Sequence, residues 1–163
     1  MENDQDLPIE VSRRIDAPAS RIFDILSDPS RHPAIDGSGM LREGASNPSV
    51  TAVGDVFSMK MYFPEMGDYV MDNHVVEFER HRRIAWEPVL RGASRSTDDP
   101  ARNGSRWGFT LTSVGPDATV VTETYDCSGS PDSVRKSVDN GNAWVENMAD
   151  TLERLDELCT GAS

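Results

Sequence analysis

The sequence has 163 residues, 37% of them hydrophobic and 27% charged, and its formal net charge is −12. That charge argues against nucleic acid and anionic membrane surfaces as partners, because both attract basic patches. No apolar run approaches the ~20 residues that a membrane span needs, and the acidic first residues lack the pattern of a signal peptide. We therefore expect one cytoplasmic domain over residues 1–163, with its core at about 8–159.

A strand and two short helical segments are predicted at the start of the chain. Residues 8–15 form an extended apolar run typical of a strand. Pro18 suits the first turn of a helix, which should end at residues 27–29. Residues 29–35 predict a second helical turn, and residues 40–42 allow a short strand before a turn-rich segment.

An antiparallel meander is predicted next. From Gly54, apolar residues alternate with polar ones through Phe63, as in a half-buried strand. A long strand at 69–79 should return through 83–88 by a tight connection. Strands at 107–112 and 119–127 complete the meander.

The register of the central hairpin decides which side chains face inward. If Phe78 pairs with Ile84, then Val76 faces Trp86, and His74 lies on that same face. The next segment, residues 89–104, is polar and long for a hairpin loop, so we expect it to act as a mobile lid.

One long helix is predicted at the C-terminus. Ser130 suits the N-cap and Pro131 the first helical position. A one-sided apolar stripe then runs to Cys159, and Gly161 ends the helix. The segment at 140–142 (Asn-Gly-Asn) predicts a kink or a close approach to the sheet.

The two cysteines, Cys127 and Cys159, should lie at opposite ends of that helix. At 1.5 Å per residue they would be roughly 40 Å apart. A disulfide needs Cα atoms within about 7 Å, so we expect two free thiols and a reducing compartment.

Four segments resemble a known superfamily. They are VSRRIDAPA at 11–19, IFDILSDP at 22–29, RRIAW at 82–86, and FTLT at 109–112 followed by Gly115. On these segments the chain is similar to the SRPBCC superfamily of START-like and Bet v 1-like helix-grip proteins, which includes polyketide cyclases. The resemblance implies an α+β helix-grip fold, with a curved antiparallel sheet of about six or seven strands around the long C-terminal helix. It also implies a ligand cavity, but no catalytic residue, because the superfamily shares no invariant one.

The cavity should be lined by the inward face of the sheet and the inner stripe of the helix. The alternative for each side chain is that it simply fills the core. The predicted ligand-binding residues are Phe57, Met59, Met61, His74, Val76, Trp86, Trp107, Phe109, Glu123, Tyr125, Gly141, Trp144, Val145 and Met148.

Glu123 is the most informative of these positions. Val121 and Tyr125 should point inward, and the period of two carries Glu123 inward with them. A buried carboxyl is costly unless it is paired, and burial raises its pKa. It could hold a ligand hydroxyl or act as a general acid or base. The alternatives are a pair with Arg106, or a register shifted by one residue that exposes Glu123.

Metal and cofactor sites are not predicted. No histidine pair has metal-ligand spacing and no cysteine cluster exists, so we expect no zinc site and no other metal. Neither a phosphate-binding loop nor a dinucleotide-binding glycine pattern is present, so we expect no cofactor. His32 and His81 fall in predicted loops and should be solvated.

Three functional hypotheses follow. The first is a protein that binds an apolar small molecule such as a lipid, polyketide or isoprenoid. The second is a cyclase, aromatase or dehydratase-like enzyme in which Glu123, with His74 or Tyr125, moves protons. The third is a protein-interaction module similar to the Hsp90 co-chaperone domain of this fold, with a closed cavity and an exposed apolar patch. The sequence leaves monomer and homodimer open.

Overall fold

A seven-stranded sheet and a C-terminal helix dominate the residues described by the computed structural model, which are 8–43, 49–64, 67–91 and 104–161. All neighbouring strands are antiparallel, in the order β1-β7-β6-β5-β4-β3-β2. The strands are β1 (Ile9–Ile15), β2 (Leu41–Glu43), β3 (Val56–Phe63), β4 (Gly67–Glu79), β5 (Arg83–Leu90), β6 (Arg106–Gly115) and β7 (Ala118–Asp126). The helices are α1 (Ala19–Leu26), α2 (His32–Ile35), α3 (Asp132–Ser137) and α4 (Val145–Thr160), with 3-10 turns at Pro29–Arg31 and Asp139–Trp144.

This architecture confirms the predicted α+β helix-grip fold. The sheet curls into a half-barrel, and the C-terminal helix lies across its concave side. Of the predicted lid at 89–104, residues 92–103 lie outside the described residues, and β5 extends to Leu90.

The long C-terminal helical segment is interrupted where the kink was predicted, so that α3 and α4 are joined by the 3-10 turn at Asp139–Trp144. The backbone turns left-handed at Asn140 (φ 53°) and Gly141 (φ 96°), which confirms the predicted kink. A Cβ at Gly141 would lie 2.7 Å from Cγ1 of Ile9 and 2.8 Å from Cδ2 of Tyr125. Glycine is therefore required both for the positive φ and for the close approach to the sheet. Pro131, rather than the predicted Ser130, is the N-cap of α3.

The two halves of α4 do different work. Its C-terminal half buries Leu152, Leu155 and Cys159 against α1 and the sheet, where they share a core with Ile22 and Val121. A fully buried Leu contributes about 1.5–3 kcal/mol, so this half anchors the helix. Gly161 ends the helix in the predicted left-handed conformation (φ 71°). The N-terminal half of α4 instead lies over an open space.

A β-bulge in β4 changes the predicted inward face. Phe78 does pair with Ile84, but the register shifts between Val75 and Glu77, so Val75 lies opposite Trp86. The extra residue reverses the faces of the side chains that precede it in β4, compared with a regular strand paired at Phe78 and Ile84. His74 is consequently exposed and Val76 is half-buried at the bulge, so both predictions of an inward position are wrong.

Candidate ligand-binding cavity

A cavity of about 220 Å³ lies between the N-terminal half of α4 and the concave face of the sheet. Its floor is buried and its rim is half-buried. From the sheet it is lined by Leu41, Met59, Met61, Tyr69, Met71, Asn73, Trp86, Pro88, Trp107, Phe109 and Glu123. From the helices and loops it is lined by His32, Ile35, Asp36, Ser38, Met40, Trp144, Asn147, Met148 and Thr151.

The rim of the cavity is rich in methionine. All five methionines within the described residues line the cavity, and three of them, Met40, Met61 and Met71, are only half-buried. Methionine has no branched carbon and a polarizable sulfur, so it adapts to apolar surfaces of varied shape. The rim can therefore adjust to an apolar guest.

An aromatic stack forms the floor beneath α2. His32 stacks on Trp86 with ring centroids 5.7 Å apart, and Phe57 contacts both rings edge-on. His32 is 5% exposed and its Nε2 lies 2.7 Å from the carbonyl oxygen of Leu26. Burial lowers the pKa of His32 below its ordinary value of 6.5, so the neutral ring donates to that carbonyl. The prediction that His32 is solvated is wrong.

Glu123 places a carboxyl group on the cavity wall. It lies in β7 between Val11 of β1 and Phe109 of β6, and its side chain is 5% exposed. Within the described part of the chain, no donor reaches its Oε1 atom. Burial first, and then the charge of Asp36, raise the pKa of Glu123 well above the ordinary 4.5. The predicted inward position is confirmed, and the alternative pair with Arg106 is not formed.

Asp36, the second carboxyl group at the cavity, is fully engaged by its own loop. It accepts hydrogen bonds from the Ser38 backbone N–H at 3.0 Å, the Ser38 hydroxyl at 2.7 Å and the Leu41 N–H at 2.9 Å. The same loop is tied to α4, because the Gly37 N–H donates to Oγ1 of Thr151 at 2.9 Å. Asp36 therefore shapes this wall of the cavity and leaves Glu123 as the carboxyl group available to a ligand.

Eight of the fourteen predicted residues line the cavity and six do not. The eight are Met59, Met61, Trp86, Trp107, Phe109, Glu123, Trp144 and Met148. The six that lie elsewhere are Phe57, His74, Val76, Tyr125, Gly141 and Val145.

Four of those six positions have local causes in the C-terminal segment or the core. Phe57 is buried behind Trp86, in the core. Tyr125 is packed under Trp107 at a ring distance of 4.5 Å, and Gly141 sits directly on it. Val145 is 37% exposed, because α4 restarts there in a phase that turns Met148 toward the cavity.

Sequence reasoning missed the wall formed by α2 and the loop after it. Those residues show no periodicity, and only the Asp-Gly-Ser turn at 36–38 signals a structured loop. His81, also predicted to be solvated, is partly buried, with its ring 5.8 Å from that of Phe23. Among the described residues, no three His, Cys, Asp or Glu side chains converge as a metal site would require. None of the described helices is both long and apolar enough to span a bilayer.

A family model described as polyketide cyclase/dehydrase and lipid transport matches residues 7–160. The chain belongs to this family. The match covers the whole sheet and the C-terminal helix, the elements that enclose the cavity. It agrees with the resemblance carried by the four sequence segments.

Relatives in the family include the uncharacterized protein Rv0088 of Mycobacterium tuberculosis. It is 33% identical over 121 residues, which is 73% of this chain and 48% of that protein. The chain spans about half the length of the curated relatives it matches.

Solved structures of the same fold include protein Ms6760 from Mycobacterium smegmatis. The superposition of the two proteins has a TM-score of 0.69 at 15% sequence identity and covers 100% of this chain and 97% of that one. DynU16, from the dynemicin biosynthetic locus, has a TM-score of 0.55 at 22% identity, covering 94% of this chain and 48% of that one. At such identities the similarity establishes the fold alone.

Proposed function

We propose that this protein binds an apolar small molecule, of the size of a polyketide, isoprenoid or short lipid fragment, in the cavity under α4. The observation that carries the proposal is the lining: a floor of stacked aromatic rings and a rim of methionines around the carboxyl group of Glu123, whose Oε1 has no donor among the described residues. Ligand sites are typically apolar pockets with a few polar groups that fix orientation. The family, whose description includes lipid transport, supports the same class of ligand.

The two halves of α4 support this proposal, because the C-terminal half packs in the core and the N-terminal half covers the cavity. Leu152 and Leu155 are packed to 1% exposure or less, so the fold already has a filled core beside the cavity. Native cores are close-packed and leave few voids larger than a water molecule. A void of about 220 Å³ next to such a core is therefore a feature of the fold that a guest molecule would complete.

A neutral fluorescent probe, N-phenyl-1-naphthylamine, tests the proposal in titration. The wild-type protein should enhance its fluorescence saturably. Met61→Trp, which adds bulk at the rim, should weaken the binding of the probe by about tenfold or more, a loss of roughly 1.4 kcal/mol of binding free energy. Val56→Trp is the matched control, because it adds the same ring to the exposed side of the same strand.

Equal affinity in the two variants would place the probe outside the cavity, and no saturable signal from the wild type would contradict the proposal. Thermal melts of both variants show that they fold. A native mass spectrum after gentle purification adds an independent readout, since a retained ligand appears as a defined mass increment.

A second function, proton transfer by Glu123, is favoured by one observation. A carboxyl group in an apolar site with a raised pKa has the environment of a general acid at neutral pH. His74 and Tyr125, the partners proposed from the sequence, do not line the cavity, so Glu123 would act without them. Glu123→Gln should then abolish turnover and keep the affinity for the neutral probe, whereas turnover that survives the change would remove Glu123 from the mechanism.

The third hypothesis, an interaction module, gains no support from the described residues. It predicts a closed cavity, and the rim described above is half-buried and lined by adaptable side chains.

A further inference from the structure

The described lining of the cavity is acidic and has no basic counterpart. Glu123 and Asp36 both face it, and none of its described lining residues is Lys or Arg. His32 offers no positive charge, because burial lowers its pKa and its Nε2 is bound to a carbonyl. Burial first, and then the charge of Asp36, also raise the pKa of Tyr69, another residue of the lining.

The outer face of the same strands is arranged in the opposite way. There, three carboxylates each form an ion pair with an arginine. The pairs are Glu77 with Arg83 at 3.0 Å, Glu87 with Arg106 at 2.8 Å, and Asp72 with Arg91 at 2.8 Å. Glu123 thus stands out among these sheet carboxyl groups, because it is the one that is buried and has an oxygen without a donor.

Aromatic rings surround this acidic space. Trp86 and Phe109 form one pair with centroids 6.0 Å apart, and Trp107 and Trp144 form another at 5.8 Å. All four rings line the cavity. The face of an aromatic ring carries partial negative charge and attracts cations, most strongly for Trp. Carboxyl groups and ring faces therefore favour the same sign of ligand charge.

We infer that the cavity selects its ligand by charge, accepting an apolar molecule that carries a basic amine and excluding one that carries a carboxylate. This inference rests on the proposed function. The ammonium group donates a hydrogen bond to Oε1 of Glu123, and the apolar body lies against the Trp and Met side chains. A carboxylate would meet two acidic groups in a site of low dielectric constant, and no described lining residue supplies a cation to compensate.

Three probes with one ring system test the inference: 1-naphthylmethylamine, 1-naphthalenemethanol and 1-naphthoate. At neutral pH they are cationic, neutral and anionic, while the apolar body stays the same. Calorimetric titration should give the amine about tenfold tighter binding than the alcohol, since hydrogen bonds to charged groups exceed neutral ones by roughly 1 kcal/mol or more. The naphthoate should bind about tenfold more weakly than the alcohol, or not at all.

Two variants connect that order to Glu123. Glu123→Gln removes the carboxyl group that ionises beside the bound ammonium group, so the preference for the amine over the alcohol should fall to less than about threefold, a difference of ~0.6 kcal/mol. Glu87→Gln makes the same substitution on the outer face and should keep the wild-type order. Neutral-probe fluorescence shows that each variant retains its cavity.

The outcomes separate the inference from the function on which it rests. If the three naphthyl compounds bind with equal affinity, or naphthoate binds most tightly, the charge selection is wrong and the apolar binding function stands. If none of them binds and the neutral probe also fails, both are wrong. An amine preference that survives Glu123→Gln would contradict the role given to Glu123.

Discussion

Replacing Glu123 by methionine should stabilise the protein in the absence of a ligand. Methionine is unbranched and of similar length, so it fits the same position and joins the methionines already in the cavity wall. The change removes a carboxyl group that is 5% exposed and whose Oε1 has no donor. A functional site built in this way costs stability, and an apolar replacement recovers it.

The expected gain follows from the cost of an unsatisfied buried polar group, about 1–3 kcal/mol. For a domain of this size each kcal/mol moves the melting temperature by roughly 2–4 °C. The variant should therefore melt about 2–12 °C above the wild type.

The difference between the two proteins should also depend on pH. Because the folded-state pKa of Glu123 is raised, the folded protein holds this proton more tightly than the unfolded chain. Wild-type stability should therefore fall as pH rises from the ordinary carboxyl value of 4.5 through the raised one. Glu123→Met lacks this component, so its advantage should widen with pH over that range.

Differential scanning calorimetry across that pH range measures both effects. Glu87→Met is the control, since its carboxylate is partly exposed and paired with Arg106, and such pairs contribute only about 0–1 kcal/mol. Our reasoning fails if Glu123→Met melts at or below the wild-type temperature at every pH, or if its advantage is independent of pH. Either result would mean that Glu123 is solvated or paired in solution.

Two further predictions concern the elements around the cavity. Gly141→Ala should destabilise the protein more than Gly161→Ala, by about 1–3 kcal/mol. Both glycines have a left-handed φ, but only at Gly141 would a Cβ meet neighbouring side chains. Equal melting temperatures of the two variants would contradict this account of the kink. His32→Phe keeps a ring on Trp86 and removes a group with a lowered pKa, so the wild type, but not the variant, should lose stability from this position as pH falls below 6.5. Parallel pH profiles of unfolding by urea would show that His32 is not buried in its neutral form.

The sequence predicted the fold well because its signals are periodic. The alternation in β3 and the apolar stripe of the C-terminal segment both come from repeated side-chain positions. The order from β2 to β7 follows from a meander, whereas the pairing of β1 with β7 has no local signature. The inward position of Glu123 was predictable for the same reason, since β7 is regular over Val121 and Tyr125.

The remaining errors come from features that break a period. The bulge at Val75 and Glu77 has no signature in the local sequence, yet it moves His74 to the outer face. The sequence predicted a kink at the left-handed residues 140–141. It did not predict the rotation of α4 about its axis after the kink, which exposes Val145 and depends on the close approach of Gly141 to Tyr125. The wall at 36–41 is irregular chain fixed by hydrogen bonds of Asp36, which pattern analysis cannot anticipate.

A crystal structure of the protein with N-phenyl-1-naphthylamine tests the central claim most directly. We predict electron density for the aromatic rings in the space under α4, in contact with Trp86, Phe109 and Met148. Saturating probe found at another surface, with that space closed by the protein's own side chains, would contradict the assignment of the cavity as the binding site.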